Sequence, residues 1–365
     1  MKVLHINSYY NGSKFYKNLY DIQYKREDLE IDVFVPGYFF KNDFNFGEYT
    51  LVSKNYNKID RIFFHLKVHK ILNDIQNKYN IENYEILHAH SLFTNGMIAY
   101  KLHKKYNIPY VVAVRNTDLN VFFKKMFHLR KLGINILKGS KKIIFLSESY
   151  KQEVLKKYVP KNLKENIQNK SVVIPNGVDN FWLENKNKTK ILENKKKLKL
   201  LYVGEINKNK NLLTTIKAIK LLIEENYKVT YSIVGKISDR KIFKEIEKYD
   251  FLNYLGVKSK EELLNIYRKN DVFIMPSYTE TFGLVYVEAM SQGLPIIYSK
   301  GQGFDEQFKD GEVGYSVISD NYEEIVFKLK NIINNYKSIS QRAINLSENF
   351  NWEKLEEIYF KIYEK

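Results

Sequence analysis

The sequence predicts an α/β protein with two domains, each built on a doubly wound parallel sheet. The chain has 365 residues, more than one hydrophobic core usually supports, and 44% of them are hydrophobic, enough to fill two cores. Short apolar runs alternate with helical patterns, which is typical of parallel sheets covered on both faces. Ligands of such sheets bind beyond the carboxyl ends of the strands. The polar residues after each predicted strand are therefore the first candidates for a functional site.

The first domain is predicted over residues 1–183. It begins with a buried strand, residues 2–7, and a polar loop that leads into a helical pattern from Lys14. Further strands are predicted at residues 31–35, 86–88, 110–114, 142–146 and 172–174. The run 184–197 is charged, rich in Asn and without a clean apolar face, so we place the domain boundary at its start.

The second domain, residues 184–349, repeats the strand-loop-helix theme. Its strands are predicted at residues 198–203, 228–234, 251–255, 272–275 and from 295 onward. Helices are predicted after residue 211 and at residues 261–269, 282–293 and 321–334. The helix 282–293 ends at Gly293, since glycine is a natural helix terminator. A further helix, rich in aromatic residues, is predicted from residue 350 to residue 363.

The formal net charge of +17 is large, but it excludes few classes of binding partner. Such a charge is compatible with nucleic acid, an anionic membrane or phosphorylated substrates. A composition that is rich in Lys throughout would explain the same charge equally well without any such partner. The aromatic residues form no recognisable nucleic-acid-binding motif, so we expect no nucleic-acid partner.

The chain contains no Cys, which excludes disulfides, thiolate metal sites and cysteine nucleophiles. The apolar run at Met1 is too short for a signal peptide. No segment approaches the roughly 18 apolar residues that a membrane-spanning helix needs. We therefore expect a cytoplasmic protein, either soluble or peripheral at the inner face of the membrane.

Residues 122–131 mix aromatic and basic side chains on a predicted helix. This segment could lie against anionic lipid headgroups. Alternatively, its apolar residues could pack on the sheet while its basic residues face solvent. The sequence leaves both interpretations open.

Two carboxylates, Glu280 and Glu288, flank the start of the helix 282–293. Unpaired N–H groups and the helix dipole favour an anion such as a diphosphate at such a start. The backbone amides that could donate hydrogen bonds to this diphosphate are those of Thr281, Phe282, Gly283 and Leu284. A glycosidase needs its two carboxylates roughly 5 to 9.5 Å apart. Eight residues of helix would separate this pair by about 12 Å, which disfavours hydrolysis.

The segment 280–295 resembles the signature of the retaining glycosyltransferases of family 4, E-x-F-G-L-x-x-x-E-A-M-x-x-G-x-P. In the first domain, residues 88–90 and 114–118 resemble the H-x-H and H-G-T-D segments of that family, with His90 and Asp118 as the matching residues. Residues 174–179 match its I-P-N-G-V-D segment.

Three positions depart from the family pattern. Arg115 and Asn116 stand where the family has His and Gly. The segment 204–211 resembles G-R-L-x-x-x-K-N, with Lys210 as the matching Lys, but Glu205 replaces the Arg. Half of the usual cationic clamp on a diphosphate is therefore missing, and Lys208 is available to replace it.

The resemblance implies the GT-B fold, in which two Rossmann-like domains face each other across a cleft and the last helix, here residues 350–365, returns to the first domain. It implies four catalytic candidates, which are Glu280, His90, Asp118 and Lys210. It implies donor-binding roles for Glu288, Thr281, Phe282, Gly283, Leu284, Gly204, Lys208, Gly235 and Val257. The acceptor side would include Gly12, Ser13, Arg115 and Asn116. In this interpretation Glu280 contacts the donor sugar and Glu288 accepts hydrogen bonds from ribose hydroxyls. From the residues alone, His90 could instead be a core histidine, and Asp118 could be an N-cap for the helix at Leu119.

The activity implied is that of a retaining, metal-independent glycosyltransferase of the hexosyltransferase type. The donor would be a UDP- or GDP-linked sugar, with no cofactor. The acceptor would be a glycan or a lipid-linked glycan, as in the synthesis of bacterial capsule, O-antigen or teichoic-type polymers, and contact with an anionic membrane would suit it. The alternatives are a nucleotide-sugar epimerase of similar fold and a non-catalytic module that binds nucleotide sugar or membrane.

Overall fold

The computed structural model describes residues 1–11, 14–40 and 44–364. The chain divides into two compact units, one made of Met1–Pro175 with Trp352–Lys365 and the other of Asn176–Asn351. The boundary between the units thus lies between Pro175 and Asn176, before the predicted boundary after residue 183. The physical reason is the short helix Asn180–Glu184, whose Trp182 and Leu183 are buried in the core of the second unit.

The first unit is a seven-stranded sheet in which every neighbouring pair of strands is parallel. Its strands are β1 (Lys2–Ile6), β2 (Glu30–Gly37), β3 (Thr50–Lys54), β4 (Ile86–Ala89), β5 (Tyr110–Val114), β6 (Lys142–Phe145) and β7 (Ser171–Val173). Its helices include α1 (Lys14–Tyr24), α2 (Phe64–Lys78), α3 (Thr94–Tyr106), α4 (Arg130–Gly139), α5 (Glu148–Lys157) and α6 (Lys164–Lys170). The strand order is β3-β2-β1-β4-β5-β6-β7, so the direction of winding reverses between β1 and β4.

The second unit is a six-stranded parallel sheet of order β10-β9-β8-β11-β12-β13. Its strands are β8 (Lys197–Val203), β9 (Lys228–Val234), β10 (Leu252–Tyr254), β11 (Val272–Met275), β12 (Ile296–Ser299) and β13 (Gly314–Val317). Its helices are α7 (Asn180–Glu184), α8 (Leu212–Glu224), α9 (Arg240–Ile246), α10 (Lys260–Lys269), α11 (Leu284–Ser291), α12 (Tyr322–Asn334) and α13 (Tyr336–Ser347). Winding reverses between β8 and β11, which is where sheets of this kind bind ligands. The predicted fold class is confirmed.

The last helix, α14 (Trp352–Glu364), packs within the first unit. Its Trp352 ring lies 5.0 Å from the Phe15 ring of α1, centroid to centroid. Alternation along β1 sends Leu4 and Ile6 into one apolar cluster, and Val3 into a second cluster that also contains residues of α14. The two faces of the first sheet are therefore both covered.

The structure differs from the predicted elements in two places. Strands β3 and β13, each at an edge of its sheet, were not predicted. The helix predicted over residues 122–131 is broken into a wide-turn (π) helix at Asp118–Phe123, a 3-10 turn at Phe127–Leu129 and the start of α4. Arg130 Nε stabilises the break by donating to the Phe123 carbonyl over 2.7 Å. In the part of the chain that the structure describes, no helix is long and apolar enough to cross a bilayer.

Candidate functional site

Two loops meet at the carboxyl ends of β8 and β11. The loop after β8 carries Asn209, whose side-chain amide donates to the Thr279 carbonyl over 2.8 Å and accepts from the Thr279 N–H over 3.0 Å. The Asn209 carbonyl also accepts from the Tyr278 N–H over 2.8 Å. These three hydrogen bonds hold residues 208–210 in a fixed position against the loop that leads to Glu280.

Lys210 and Glu280 form an ion pair where these loops meet. The Nζ of Lys210 lies 2.6 Å from Oε2 of Glu280, whose residue is only 9% exposed. The other carboxylate oxygen accepts from the Thr281 N–H over 3.1 Å, and the Glu280 N–H donates to Oε1 of Gln302 over 3.0 Å. A charge-assisted bond of this kind fixes both side chains more firmly than an exposed pair would be fixed.

The ion pair opens onto a pocket of about 340 Å³. The pocket is lined by Val203, Gly204, Glu205, Lys210, Met275, Glu280, Gly283, Leu284 and Val285. The structure therefore brings together Gly204, Lys210, Glu280, Gly283 and Leu284, all of which were predicted site residues. Glu205 lies in the same lining, and its Oε2 accepts from the Ser238 hydroxyl over 3.3 Å.

Helix α11 begins at this pocket, and Gly283 makes that start possible. The φ angle of Gly283 is +80°, a conformation that favours glycine, and a Cβ there would lie 2.5 Å from the buried Tyr286 ring. The helix begins at Leu284, two positions after the predicted start, because Phe282 turns inward and packs against Phe304 and Phe350. The first N–H groups of an α-helix have no partner within the helix, so the pocket wall is suited to an anion.

Glu288 lies farther along α11 and is not in the pocket lining. Its carboxylate accepts from the Tyr267 hydroxyl of α10 over 3.0 Å. Burial, with a smaller contribution from the nearby Asp179 charge, raises the pKa of Glu288 to about 7 against the opposing effects of the Tyr267 hydrogen bond and the Lys260 charge. Lys260 is itself paired with Asp179.

The remaining predicted donor-binding residues lie outside the lining of this pocket. Gly235 packs directly behind Gly204, since a Cβ on Gly235 would lie 1.9 Å from the Gly204 carbonyl oxygen. The exposed Val257 follows Gly256, whose carbonyl accepts from the Gly235 N–H over 2.8 Å. Lys208 lines a different pocket, of about 380 Å³ beside α8, and is not in the lining of the pocket that contains Lys210.

In the first unit, His90 belongs to a fully buried cluster with His5 and His88. His90 Nε2 lies 3.0 Å from His5 Nδ1 and 3.1 Å from the Tyr20 hydroxyl, while His88 Nδ1 lies 2.7 Å from the Tyr363 hydroxyl. Burial lowers the pKa of His5 to about 3 and holds the pKa values of His88 and His90 well below their usual range. All three rings are neutral at physiological pH.

This cluster is the one group of His, Asp or Glu side chains with metal-ligand spacing among the described residues, with ligand atoms within 4.8 Å of one another. However, the His88 and His90 rings stack with their centroids 3.9 Å apart and their planes 23° apart. Lone pairs lie in the ring planes, so those of two stacked rings run side by side and do not converge on one ion. In this geometry the cluster is a packed polar core.

Asp118 is buried and accepts three backbone hydrogen bonds, from the N–H groups of Leu92, Phe93 and Arg115. It does not cap the helix at Leu119, as one interpretation expected, because it lies within that helix and binds the turn before α3 instead. Burial raises the pKa of Asp118 to about 6, although its hydrogen bonds oppose the shift.

Two of the four predicted acceptor-side residues, Arg115 and Asn116, lie near this carboxylate in the chain. The buried Arg115 donates from Nε to the His90 carbonyl over 3.2 Å. Asn116 donates from Nδ2 to the Tyr150 hydroxyl over 2.8 Å. Gly12 and Ser13 lie outside the described residues.

Sequence reasoning missed three residues that hold predicted donor-side residues or their loops in place: Asn209, Tyr267 and Gln302. The only available signal for Gln302 was its place in a Gly-rich turn at the end of β12. Gly303 in that turn shows why glycine is needed, since a Cβ there would lie 1.7 Å from the Thr281 carbonyl oxygen.

Known proteins resemble the chain over both units. Residues 184–349 match the family model described as "Glycosyl transferases group 1", and residues 23–180 match the one described as "Glycosyltransferase Family 4". An uncharacterised glycosyltransferase of Methanocaldococcus jannaschii is 28% identical over 317 residues, which cover 82% of this chain and 83% of the relative.

Two further relatives carry names that refer to surface polysaccharides. An uncharacterised 41.2 kDa protein in the cps region of Klebsiella pneumoniae is 30% identical over 261 residues, or 68% of this chain and 69% of the relative. The capsular polysaccharide biosynthesis glycosyltransferase CapM of Staphylococcus aureus is 27% identical over 240 residues, or 60% of each chain.

Solved structures of the same fold cover nearly the whole chain. Sucrose-phosphate synthase from Thermosynechococcus elongatus superposes with a TM-score of 0.76 at 16% identity, over 100% of this chain and 98% of that one. The lipopolysaccharide outer core galactosyltransferase WaaB gives 0.74 at 17% identity over 99% of each chain. HepE of Anabaena, solved with UDP, gives 0.69 at 15% identity over 99% of each chain, and it has also been solved with UDP-glucose. At these identities the likeness shows the fold alone.

Proposed function

Because this chain belongs to the family 4, group 1 glycosyltransferases and has their GT-B fold, we propose that it transfers a sugar from a nucleotide-diphosphate donor to an acceptor hydroxyl with retention at the anomeric carbon. The observation that carries the proposal is the Lys210–Glu280 pair in a pocket at the start of α11. A cation and a helix N-terminus are the groups that stabilise a departing diphosphate.

In this mechanism the bond from the anomeric carbon to the diphosphate oxygen breaks, and a bond to the acceptor oxygen forms on the same face of the sugar. The acceptor proton passes to the departing phosphate. Lys210 and the first N–H groups of α11 bear the charge that develops on the leaving group, so no metal ion is required. Glu280 contacts the donor sugar. Glu288 accepts hydrogen bonds from ribose hydroxyls once its carboxyl group is ionised.

The donor is proposed to be UDP- or GDP-linked, and the acceptor to be a glycan or lipid-linked glycan of a bacterial surface polysaccharide. The names of two relatives support the polysaccharide, since one is a capsular glycosyltransferase and the other is encoded in a cps region. The UDP and UDP-glucose complexes of HepE support a nucleotide-sugar donor.

The test is to incubate the purified protein with a panel of nucleotide sugars, first ranked by thermal shift, and to analyse products with and without glycan acceptors. Transfer with release of nucleoside diphosphate and a product of unchanged anomeric configuration is expected. Isomerised donor without acceptor would instead indicate an epimerase. Tight binding of a donor with neither transfer nor hydrolysis would indicate a non-catalytic module.

A further inference from the structure

The Glu288 carboxylate is held by a contact to which the proposed function assigns no role. Its Oε2 accepts from the Tyr267 hydroxyl over 3.0 Å, and among the described residues this is the one hydrogen bond that the carboxylate receives. Burial and the Glu288 charge hold the pKa of Tyr267 well above its usual range, so the hydroxyl keeps its proton and donates it to this bond. The contact therefore favours the ionised form of Glu288 and occupies one of its two oxygens.

The Tyr267 side chain is fixed by packing on two sides. It is fully buried, and its ring lies edge-on to the Trp182 ring of α7 at 5.4 Å and 6.2 Å from the Phe273 ring of β11, centroid to centroid. Its helix, α10, begins with a capping box in which the side chains of Ser259 and Glu262 each accept from the other's backbone N–H. A buried aromatic residue on a capped helix is a rigid support for the carboxylate that it contacts.

Two other charged groups, of opposite sign, act on Glu288. Lys260 of α10 favours its ionised form, whereas Asp179, which precedes α7, disfavours that form. Lys260 and Asp179 form an ion pair with each other, and the Asp179 carboxylate also accepts from the Phe181 N–H over 3.1 Å. Because both charged groups are held by other partners, Tyr267 is the group that fixes the orientation of the Glu288 carboxylate.

We propose that Tyr267 is a positioning residue through which the site selects ribonucleotides over analogues that lack a ribose hydroxyl. Its hydroxyl holds Oε2 of Glu288, so Oε1 is presented in one orientation as the acceptor for a ribose hydroxyl. A fixed carboxylate binds the correct hydroxyl more tightly than a mobile one does, and it discriminates more strongly against a ligand without that hydroxyl. The inference rests on the proposed function, which places ribose hydroxyls at Glu288.

The test compares Tyr267→Phe with the wild type by calorimetry, with UDP, GDP and their 2′-deoxy and 3′-deoxy analogues as probes. For the ribonucleotide that binds, the Kd of Tyr267→Phe should rise about tenfold, the effect of losing one hydrogen bond to a charged group. The discrimination against the deoxy analogues should fall by the same factor. Tyr336→Phe is the matched control, because it removes another buried tyrosine hydroxyl of the second unit, one that donates to the Asp271 carbonyl over 2.8 Å. Its Kd values should equal those of the wild type.

The pH dependence of binding separates a positioning role from a merely structural one. Because ionised Glu288 accepts from ribose and its pKa is about 7, nucleotide affinity should fall as the pH drops through 7. In Tyr267→Phe this loss should begin at higher pH, because the hydrogen bond that favours the ionised form is gone. Comparison with the wild type cancels the titration of the nucleotide phosphates. Affinity lowered equally at every pH would overturn the inference, as would equal Kd values for the variant and the wild type.

Carboxyl NMR of the protein without nucleotide keeps this inference separate from the proposed function. The titration midpoint of the Glu288 carboxyl carbon, assigned with Glu288→Gln, should lie near pH 7. It should move to higher pH in Tyr267→Phe but not in Tyr336→Phe. If the wild type bound neither UDP nor GDP while this midpoint moved, the proposed donor would be refuted and the positioning of Glu288 by Tyr267 would stand. An unmoved midpoint would overturn the inference whatever the nucleotide result.

Discussion

Replacing Lys210 by Ala is the sharpest test of the donor pocket. Lys210 is the only cation among the described residues that line the pocket. A unit charge about 4 Å from a developing phosphate charge is worth about 4 kcal/mol in a partly screened site. Since each 1.36 kcal/mol is tenfold in rate, kcat should fall about 10³-fold.

The same substitution should leave the protein folded. Removing the lysine takes away the cationic partner of the Glu280 carboxylate, but the Thr281 N–H and the Ser277 hydroxyl remain within 3.1 Å and 3.4 Å of its oxygens. We therefore expect a loss of about 1 to 3 kcal/mol in the free energy of unfolding, within the usual range for one lost buried partner.

The assay is steady-state kinetics with the donor found in the panel, together with thermal melts. The matched control is Lys220→Ala, an exposed lysine on α8 outside the lining of the donor pocket, and its kcat should be unchanged. If folded Lys210→Ala retained the wild-type kcat with its natural donor, the assignment of the leaving group to this pocket would be refuted.

Three further predictions concern the same unit. Glu288→Gln should nearly abolish transfer without unfolding the protein. Because the pKa of Glu288 is raised to about 7 in the folded state, its ionisation destabilises the wild-type fold as the pH rises from about 5 to 8. Urea melts should therefore show the variant gaining stability relative to the wild type over that range, and a constant difference would contradict the raised pKa. Gly283→Ala should lower the free energy of unfolding by about 1 to 3 kcal/mol and weaken donor binding, because the substitution adds a Cβ at positive φ against Tyr286. Unchanged thermal melts and donor titrations would show that the start of α11 tolerates the added Cβ. EDTA should leave transfer intact, and activity lost to EDTA and restored by Mn²⁺ or Mg²⁺ would rule out the metal-free mechanism.

The sequence could predict the loops of the donor pocket but not their arrangement. Strand-end loops are recognisable locally, and within them Glu280 was identified at the start of a helix and Lys210 by its match to the family segment. Their contact depends on β8 and β11 being neighbours in the sheet, which is a property of topology. Asn209 was missed because its hydrogen bonds to Thr279 exist only once the two loops lie side by side.

The histidine cluster shows the same limit in the first unit. His90 was compatible with both a functional and a core role. His5 and His88 lie directly opposite each other on paired strands, and His90 closes the cluster from the end of β4. That burial follows from the register of β1 against β4 and from the docking of α14, whose Tyr363 hydroxyl reaches His88. Neither feature can be read from the local sequence.

The carboxylate at position 205 changes how a donor would have to bind. The charged residues of the pocket lining are Glu205, Lys210 and Glu280, and its one cation is already paired with Glu280. We expect a diphosphate to take the place of the Glu280 oxygen at Lys210, because the two anions compete for one ammonium group. Under the proposed function, that exchange releases Oε2 of Glu280 to contact the donor sugar, while Glu205 stays held by Ser238. Glu280→Gln should then tighten the binding of the nucleoside diphosphate, measured by calorimetry, while slowing transfer. Weaker binding would show that Glu280 holds Lys210 in place for the donor and does not compete with it.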